Sequence, residues 1–271
     1  MEKAENVQPA DRWKEPAEQN VMLRQMVEKN SFLTSLWELW ETDSTNRVAK
    51  ELAGNGATEG TLVVADRQSM GKGRLGRSFF SPEGGVYMSL ILRPQIPAER
   101  AVLITTCAAV AVARAIERVS DLTAGIKWVN DIYIDGKKVC GILAEAGLDP
   151  DKEVPSYVVL GIGINVKQQS VPEELKSIVG CLEDAGQKVL KEDLIAAVWE
   201  EFTMLYQELS TAVYMEEYKE RSVLLNREVI VYGPQEEYTA RVADIDREGH
   251  LVLEREGKRV ELSFGEVSIR L

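Results

Sequence analysis

The segment Gln68-Ser-Met-Gly-Lys-Gly-Arg-Leu-Gly-Arg77 brings Gly71, Gly73 and Gly76 together with Lys72, Arg74 and Arg77 in a chain of formal net charge −12. Glycines permit positive φ and let backbone N–H groups approach a ligand closely, while the cations supply point-charge and forked contacts to phosphate or carboxylate oxygens. The segment reads as an anion-binding loop, although a Gly-x-Gly-x-x-Gly string also serves as an ordinary turn between strands. A dinucleotide fingerprint needs its third glycine to open a helix, whereas Ser78-Phe-Phe-Ser-Pro-Glu-Gly-Gly85 and then a strand-like run follow. No Gly-x-x-x-x-Gly-Lys-Ser/Thr pattern occurs, and the single histidine, His250, is not followed by Arg-Asp, which removes the P-loop and kinase alternatives. With one histidine near the C-terminus, Ser–His–Asp and Cys–His mechanisms lack their usual base. Chemistry here must rest on positioning and electrostatics.

Three further groups carry functional side chains. Lys127-Trp-Val-Asn-Asp131 sets a cation, an amide and a carboxylate at a strand end, and reads equally as a solvated turn. Lys137-Lys138 follows a hairpin turn, where paired lysines commonly guard an exposed edge. Gly161 and Gly163 mark a place where a ligand or backbone approaches closely, and Asn165 after them reads as a turn former.

The elements that must position these groups follow from pattern. Trp37–Glu41 predicts a first strand ending at Asp43-Ser-Thr-Asn46, where Asp43 or Ser44 caps a helix over Arg47–Leu52. Thr61–Ala65 and Tyr87–Leu92 predict strands entering and leaving the basic loop. Pro97–Val119 predicts a helix apolar on all sides, and hence buried. Ile126–Val129 and Ile132–Ile134 read as strand, Asp135-Gly136 as a hairpin turn into Lys138–Ala144, and Tyr157–Ile164 as another buried strand. Helices are expected over Glu192–Leu209, near Ala212–Arg221, and over Val21–Met26. From Glu228 onward, five short strands with turn signals suggest a small barrel.

At 271 residues the chain can bury one large domain or one large and one small. The acidic charge argues against nonspecific nucleic-acid binding, which needs a basic face. Cys107, Cys140 and Cys181 lie far apart without C-x-x-C spacing, suggesting neither a disulfide framework nor zinc and fitting a reducing cytoplasm. No secretory signal is visible at the N-terminus. The longest apolar run, Ala101–Ala113, is too short to span a bilayer.

Asp43-Ser-Thr-Asn46, the Gln68–Arg77 loop, Phe80-Ser-Pro82, Lys127-Trp-Val-Asn-Asp131, Lys138-Val-Cys-Gly-Ile-Leu143 and Gly161-Ile-Gly-Ile-Asn165 stand in an order and spacing similar to those of biotin protein ligases. The resemblance runs from about Trp37 to the C-terminus. It implies an α+β fold: a catalytic domain like that of class II aminoacyl-tRNA synthetases, with a mixed β-sheet flanked by helices, plus a small C-terminal SH3-like β-barrel. The expected division is an N-terminal extension over residues 1–35, a biotin- and ATP-binding domain over 36–225 and the barrel over 226–271. The implied reaction has two steps: biotin's carboxylate attacks the α-phosphate of ATP to give biotinyl-5′-adenylate and pyrophosphate, and a lysine of a biotin carboxyl carrier domain then takes the acyl group, releasing AMP. Magnesium accompanies the nucleotide.

Carried over by residue, the resemblance places Ser44, Thr45 and Gln68 at biotin's ureido ring, with Asn46 beside them. Gly71, Lys72, Gly73 and Arg74 wrap the acyl adenylate, Gly141, Leu143 and Gly161 wall the biotin cavity, and Lys138 stands at the biotin carboxylate and α-phosphate. Arg77, Phe79, Lys127, Asn130, Asp131 and Asn165 fall on the ATP side, Asp131 orienting the acceptor amine or helping to hold magnesium. Lys138, Arg74, Lys127 and Asp131 are the catalytic candidates. Departures from the family pattern are Lys72 for an arginine, Phe79 for an adenine-packing tryptophan and Val129 for a proline; none removes a catalytic charge.

Some members carry a DNA-binding winged helix-turn-helix; here about 35 residues precede the first strand, and the first thirty hold five positive and six negative side chains. A ligase without a DNA-binding domain is expected, with no nucleic-acid or membrane partner and with dimerisation left open. Competing readings are a lipoate protein ligase, whose dithiolane wants apolar walls, an acyltransferase using Cys140, and a nonenzymatic small-molecule sensor.

Overall fold

A computed structural model of the chain describes residues 31–148, 154–167, 171–186, 188–232, 236–263 and 266–269. The helix expected over Val21–Met26 lies outside them. The main body is a seven-stranded sheet of β1 (Ser35–Thr42), β2 (Thr61–Gln68), β3 (Val86–Leu92), β4 (Gly125–Lys127), β5 (Asp131–Ile134), β6 (Lys137–Gly147) and β7 (Tyr157–Ile164). Its strand order is β1-β2-β3-β7-β6-β5-β4. β1 and β2 pair in parallel and every other neighbour antiparallel, so the sheet is mixed.

Helix α1 (Thr45–Gly54) makes the parallel crossover and buries Val48, Ala49 and Ala53 against Val63, Ile91 and Val159 on one sheet face. The alternate residues Leu62, Leu90 and Leu160 point the other way, into the main core shared with α2 (Val102–Val119), α3 (Lys191–Gln207) and α4 (Met215–Glu220). All seven residues of β3 are buried, as befits a strand covered on both faces.

Two sequence expectations shift. The long helix starts at Val102 rather than Pro97: Arg100 N–H donates to Pro97 O at 3.0 Å, closing a separate 3-10 turn over Ala98–Arg100. That turn presents Arg100 Nε to Glu248 at 3.1 Å. Ser44 occupies the N-cap of α1, but no side chain caps it. Asp43 instead accepts the Ser44 N–H at 2.7 Å and pairs with Arg47. Burial alone would raise the Asp43 carboxyl, yet these bonds and the Arg47 charge hold it below the usual carboxylate value.

A second sheet of β8 (Glu228–Tyr232), β9 (Glu237–Ile245), β10 (Leu251–Arg255), β11 (Lys258–Leu262) and β12 (Glu266–Ile269) runs β11-β10-β9-β8-β12, all antiparallel. No pairing closes β11 onto β12 among the described residues. Val229, Val231, Val242, Leu251 and Leu253 join the core of the main body. The turn between β9 and β10 is tied there by the Trp128 indole N–H, which donates to Gly249 O at 2.9 Å.

Candidate functional site

The basic loop leaves β2 and returns on itself, with Gly73 N–H donating to Arg77 O at 2.7 Å and Phe79 N–H to Gly71 O at 2.8 Å. Of its three glycines only Gly76 has a positive φ, 75°, and Leu75 beside it stands at 55°. Gly73, at φ −112°, needs no such freedom, and Gly71 is required for space: a Cβ there would lie 2.4 Å from Phe79 O. Arg74 Nη1 donates to Asn130 Oδ1 at 3.1 Å, joining the loop to the turn of the Lys127–Asp131 motif.

Lys138 owes its direction to an irregularity. Asp135 and Gly136 both take positive φ, forming the expected tight hairpin, and the β5–β6 register then slips so that Tyr133 faces Lys138 while Ile132 faces Cys140. In an unbroken strand residues 138 and 141 would point to opposite faces; with Val139 as the extra residue, the Lys138 side chain lies over Gly141. A Cβ at Gly141 would come within 3.3 Å of Lys138 Nζ. The ammonium sits 2.7 Å from Asp131 Oδ1, an ion pair without hydrogen-bond alignment, and 5.9 Å from the Phe79 ring centroid.

Glycines form the floor. Gly141 pairs with Gly163 across β6 and β7, and Gly161 pairs with Leu143 on one side and Ser89 on the other. The Phe79 ring rests on the first pair, where a Cβ at Gly163 would reach it at 2.6 Å, and Asn46 rests on Gly161, where a Cβ would reach its Oδ1 at 2.0 Å. A side chain at any of these positions would displace the Phe79 ring or the Asn46 amide.

The neutral end is buried and hydrogen-bonded. Ser44, Thr45 and Asn46 are almost wholly buried. Gln68 Oε1 accepts from Thr45 N–H at 2.8 Å, and Gln68 Nε2 donates to Ser81 Oγ at 3.0 Å. Asn46 Nδ2 donates to Glu145 Oε2 at 2.8 Å, and Ser89 Oγ lies 2.6 Å from Asn46 Oδ1.

These groups line one cleft of about 540 Å³. Of the residues singled out in sequence, Ser44, Thr45, Asn46, Gln68, Lys72, Gly73, Arg74, Arg77, Phe79, Lys127, Asn130, Asp131, Lys138, Gly141, Leu143 and Gly161 line it. Gly71 and Asn165 do not. Asn165 instead donates from its backbone to Val139 O at 2.8 Å and from Nδ2 to Gly180 O at 3.3 Å, holding the segment after β7 against β6. Phe79 lies on the glycine floor within reach of Lys138, placing its ring at the centre of the cleft.

Ser89 and Glu145 are the residues of the neutral end not singled out in sequence. A serine alone in the apolar run Val86–Leu92 is the signal that marks Ser89. Cys140 is fully buried and its thiol is pushed up by burial, which removes it as a nucleophile. Asp131 is the one carboxylate lining the cleft among the described residues. A separate group, Asp246, His250 and Glu261, lies on the second sheet, where the Asp246 carboxylate already accepts from the Glu248 and His250 backbone N–H groups and lies 3.1 Å from the His250 ring.

A mixed sheet carrying a cationic loop over a glycine floor defines a ligand-binding α+β domain, and comparison with known proteins gives its family. Residues 40–165 match the biotin/lipoate A/B protein ligase family and residues 224–270 the biotin protein ligase C-terminal domain. The bifunctional ligase/repressor BirA of Bacillus spizizenii is 48% identical over 172 residues, 62% of this chain and 52% of that protein. The chain thus spans about half the length of this relative. A biotin–[acetyl-CoA-carboxylase] ligase of Mycobacterium tuberculosis is 29% identical, with 95% and 97% of the two chains covered. Among solved structures, the biotin protein ligase of Aquifex aeolicus in complex with biotin and ATP superposes with a TM-score of 0.76 at 29% identity, covering 88% of this chain and 99% of that one. An arginine-to-glycine mutant of the same enzyme, in complex with biotin, gives 0.75 at 30% identity, with 88% and 98% covered. The chain belongs to the biotin protein ligase family.

Proposed function

We propose that the chain is a biotin protein ligase, forming an amide bond between biotin and a lysine of a biotin carboxyl carrier domain by way of biotinyl-5′-adenylate. The observation that carries this reading is the pairing of opposites in one cleft: a buried neutral end at Thr45 and Gln68, and a cationic end at Lys72, Arg74, Arg77 and Lys138. Biotin has that polarity, with a neutral ureido ring and an anionic tail.

In this reading the ureido ring sits at Ser44, Thr45 and Gln68, and the valeryl chain crosses the floor of Gly141, Leu143 and Gly161. Its carboxylate meets Lys138. The nucleotide lies towards Lys127, Asn130 and Arg77, and Asn165 supports the strand end from outside the cleft. Attack of one carboxylate oxygen on the α-phosphorus forms the mixed anhydride as the bond to pyrophosphate breaks; both reactants are anions, so fixed cations in a shielded pocket lower the barrier most. A lysine amine of the acceptor then attacks the acyl carbon, AMP leaves, and Asp131 orients the amine and receives its proton. Asp131 is the carboxylate that would help to hold magnesium, which would neutralise charge on the phosphates.

We also read residues 36–225 as a catalytic domain of the class II synthetase type and 226–271 as an SH3-like barrel, supported by the antiparallel second sheet. Three free, buried cysteines support a cytoplasmic setting. No helix among the described residues is long and apolar enough to cross a membrane. The acidic net charge supports action on small molecules and a protein rather than on nucleic acid.

Biotin-dependent exchange of labelled pyrophosphate into ATP tests the activity. Exchange is expected with biotin and not with lipoate, whose dithiolane offers the buried polar end no hydrogen-bond donor. A protein that binds biotin without exchange would be a sensor, and the proposal would fall.

A further inference from the structure

A count of protons at the neutral end assigns a role to Glu145, which lies beyond the residues that wall the cleft. Three oxygen–oxygen contacts run in series: Gln68 Oε1 to Thr45 Oγ1 at 3.1 Å, Thr45 Oγ1 to Ser89 Oγ at 2.7 Å, and Ser89 Oγ to Asn46 Oδ1 at 2.6 Å. Both ends of this series are carbonyl-type acceptors, and each is fixed from outside. Gln68 must turn Oε1 towards Thr45 because a backbone N–H, which only donates, meets it at 2.8 Å, while its Nε2 serves Ser81 Oγ, whose own proton goes to Phe79 O at 3.0 Å.

Asn46 must turn Nδ2 towards Glu145 Oε2, at 2.8 Å, with Leu143 O a weaker second acceptor at 3.4 Å. Burial would raise the Glu145 carboxyl, but hydrogen bonds from Lys50 and Asn46 and the charges of Lys50 and Lys72 hold it below its ordinary value. As a carboxylate it only accepts, so the amide cannot present oxygen to it.

The series therefore has three contacts and two protons, one from Thr45 and one from Ser89. We propose that Glu145, held by Lys50, is a positioning residue that keeps this buried chain one proton short, so that the pocket admits ligands offering an N–H donor beside Thr45 and Gln68. The donor class is a ring urea or amide N–H, and the inference rests on the reading of the ligand as biotin. With Asn46 reversed, its Nδ2 would supply the third proton, the chain would be satisfied within itself, and an N–H on the ligand would no longer be needed.

The test is calorimetric, on the full chain without nucleotide. Dissociation constants are compared for biotin and for the two cyclic carbamate analogues in which one ring N–H is replaced by oxygen. In the wild type the more disfavoured carbamate binds about 100-fold more weakly than biotin, because a buried acceptor pair then lacks its donor. In Glu145→Gln the reversed amides are accommodated and the ratio falls below about 10-fold, mainly through weaker biotin binding. The double variant Asn46→Asp/Glu145→Gln exchanges amide and carboxylate, restores an acceptor opposite Ser89, and returns the ratio towards that of the wild type.

Ser89→Ala removes one proton and two contacts, ends the deficit by another route, and lowers the ratio without touching the Glu145 ion pair. A role for Glu145 in folding alone would move melting temperature and leave the ratio intact. A ratio in Glu145→Gln within twofold of the wild type, with biotin still bound by the wild type, overturns this inference alone, as does a double variant no better than the single one. A wild type that binds no biotin overturns the proposed function together with it.

Discussion

At one end of the cleft Thr45 and Asn46 are buried and bound to partners on β2, β3 and β6; at the other, Leu75 is 70% exposed and the loop around it lies on the surface. The buried end is built by residues far apart in sequence. The cationic end is local, and Arg74 ties it across the cleft to Asn130. The contrast separates recognition from charge neutralisation. Buried hydrogen bonds discriminate strongly because a mismatched ligand strands them, whereas a glycine-rich cationic loop can adjust as negative charge moves from carboxylate to phosphate.

Lys138 is where the two ends meet, and removing it gives the largest expected effect. Lys138→Ala should lower the rate of adenylate formation by about 1000-fold, the loss typical of one preorganised charge donor, while biotin affinity changes less than tenfold. Pyrophosphate exchange and equilibrium binding measure the two quantities. A parallel loss of both would show that the ends are not separable.

Arg74→Gly sharpens the same contrast at the loop. The variant loses the contact to Asn130 and one cation of the flap, so adenylate should escape about 10- to 100-fold faster, as expected for a lost charged hydrogen bond. Release of labelled adenylate in a chase checks this; a lifetime equal to that of the wild type would place closure elsewhere.

The uneven legibility of the two ends has the same origin. Gln68–Arg77 and Lys127–Asp131 stand out in sequence because glycine and charge are unusual inside a folded domain and lie within a few residues of one another. Glu145 and Lys50 carry no such local mark and Ser89 only that of a serine in an apolar run: the relation to Asn46 exists through strand pairing and helix packing across a sequence separation of 43 residues for Ser89 and 99 for Glu145. The direction of Lys138 depends on a one-residue slip between β5 and β6 that pattern does not reveal. The strands of both sheets were legible because β-branched alternation and turn residues bound them. The start of α2 was not, because Pro97 suits a 3-10 turn as well as a helix.

Ser89→Ala tests the buried end as structure. It leaves Asn46 Oδ1 without its Ser89 donor and Thr45 Oγ1 with Gln68 alone at a buried position, so the protein should lose about 1–3 kcal/mol of stability, read from denaturant unfolding. An equal change at a surface serine would be within about 0.5 kcal/mol, which makes the loss attributable to burial.

The smallest effect is expected at Cys140, and its smallness is informative. The thiol lies in β6 beside Lys138, the position an acyl-transferring nucleophile would need, yet it is fully buried and burial holds it protonated. If the acyl group travels as the adenylate, Cys140→Ala should leave exchange and transfer rates within twofold and cost about 1 kcal/mol of stability through lost packing. If it travels through a thioester, transfer stops while exchange persists. Comparing the two half-reactions in this one variant therefore decides whether the acceptor amine attacks a mixed anhydride poised between the neutral and cationic ends or an acyl group already carried by the protein.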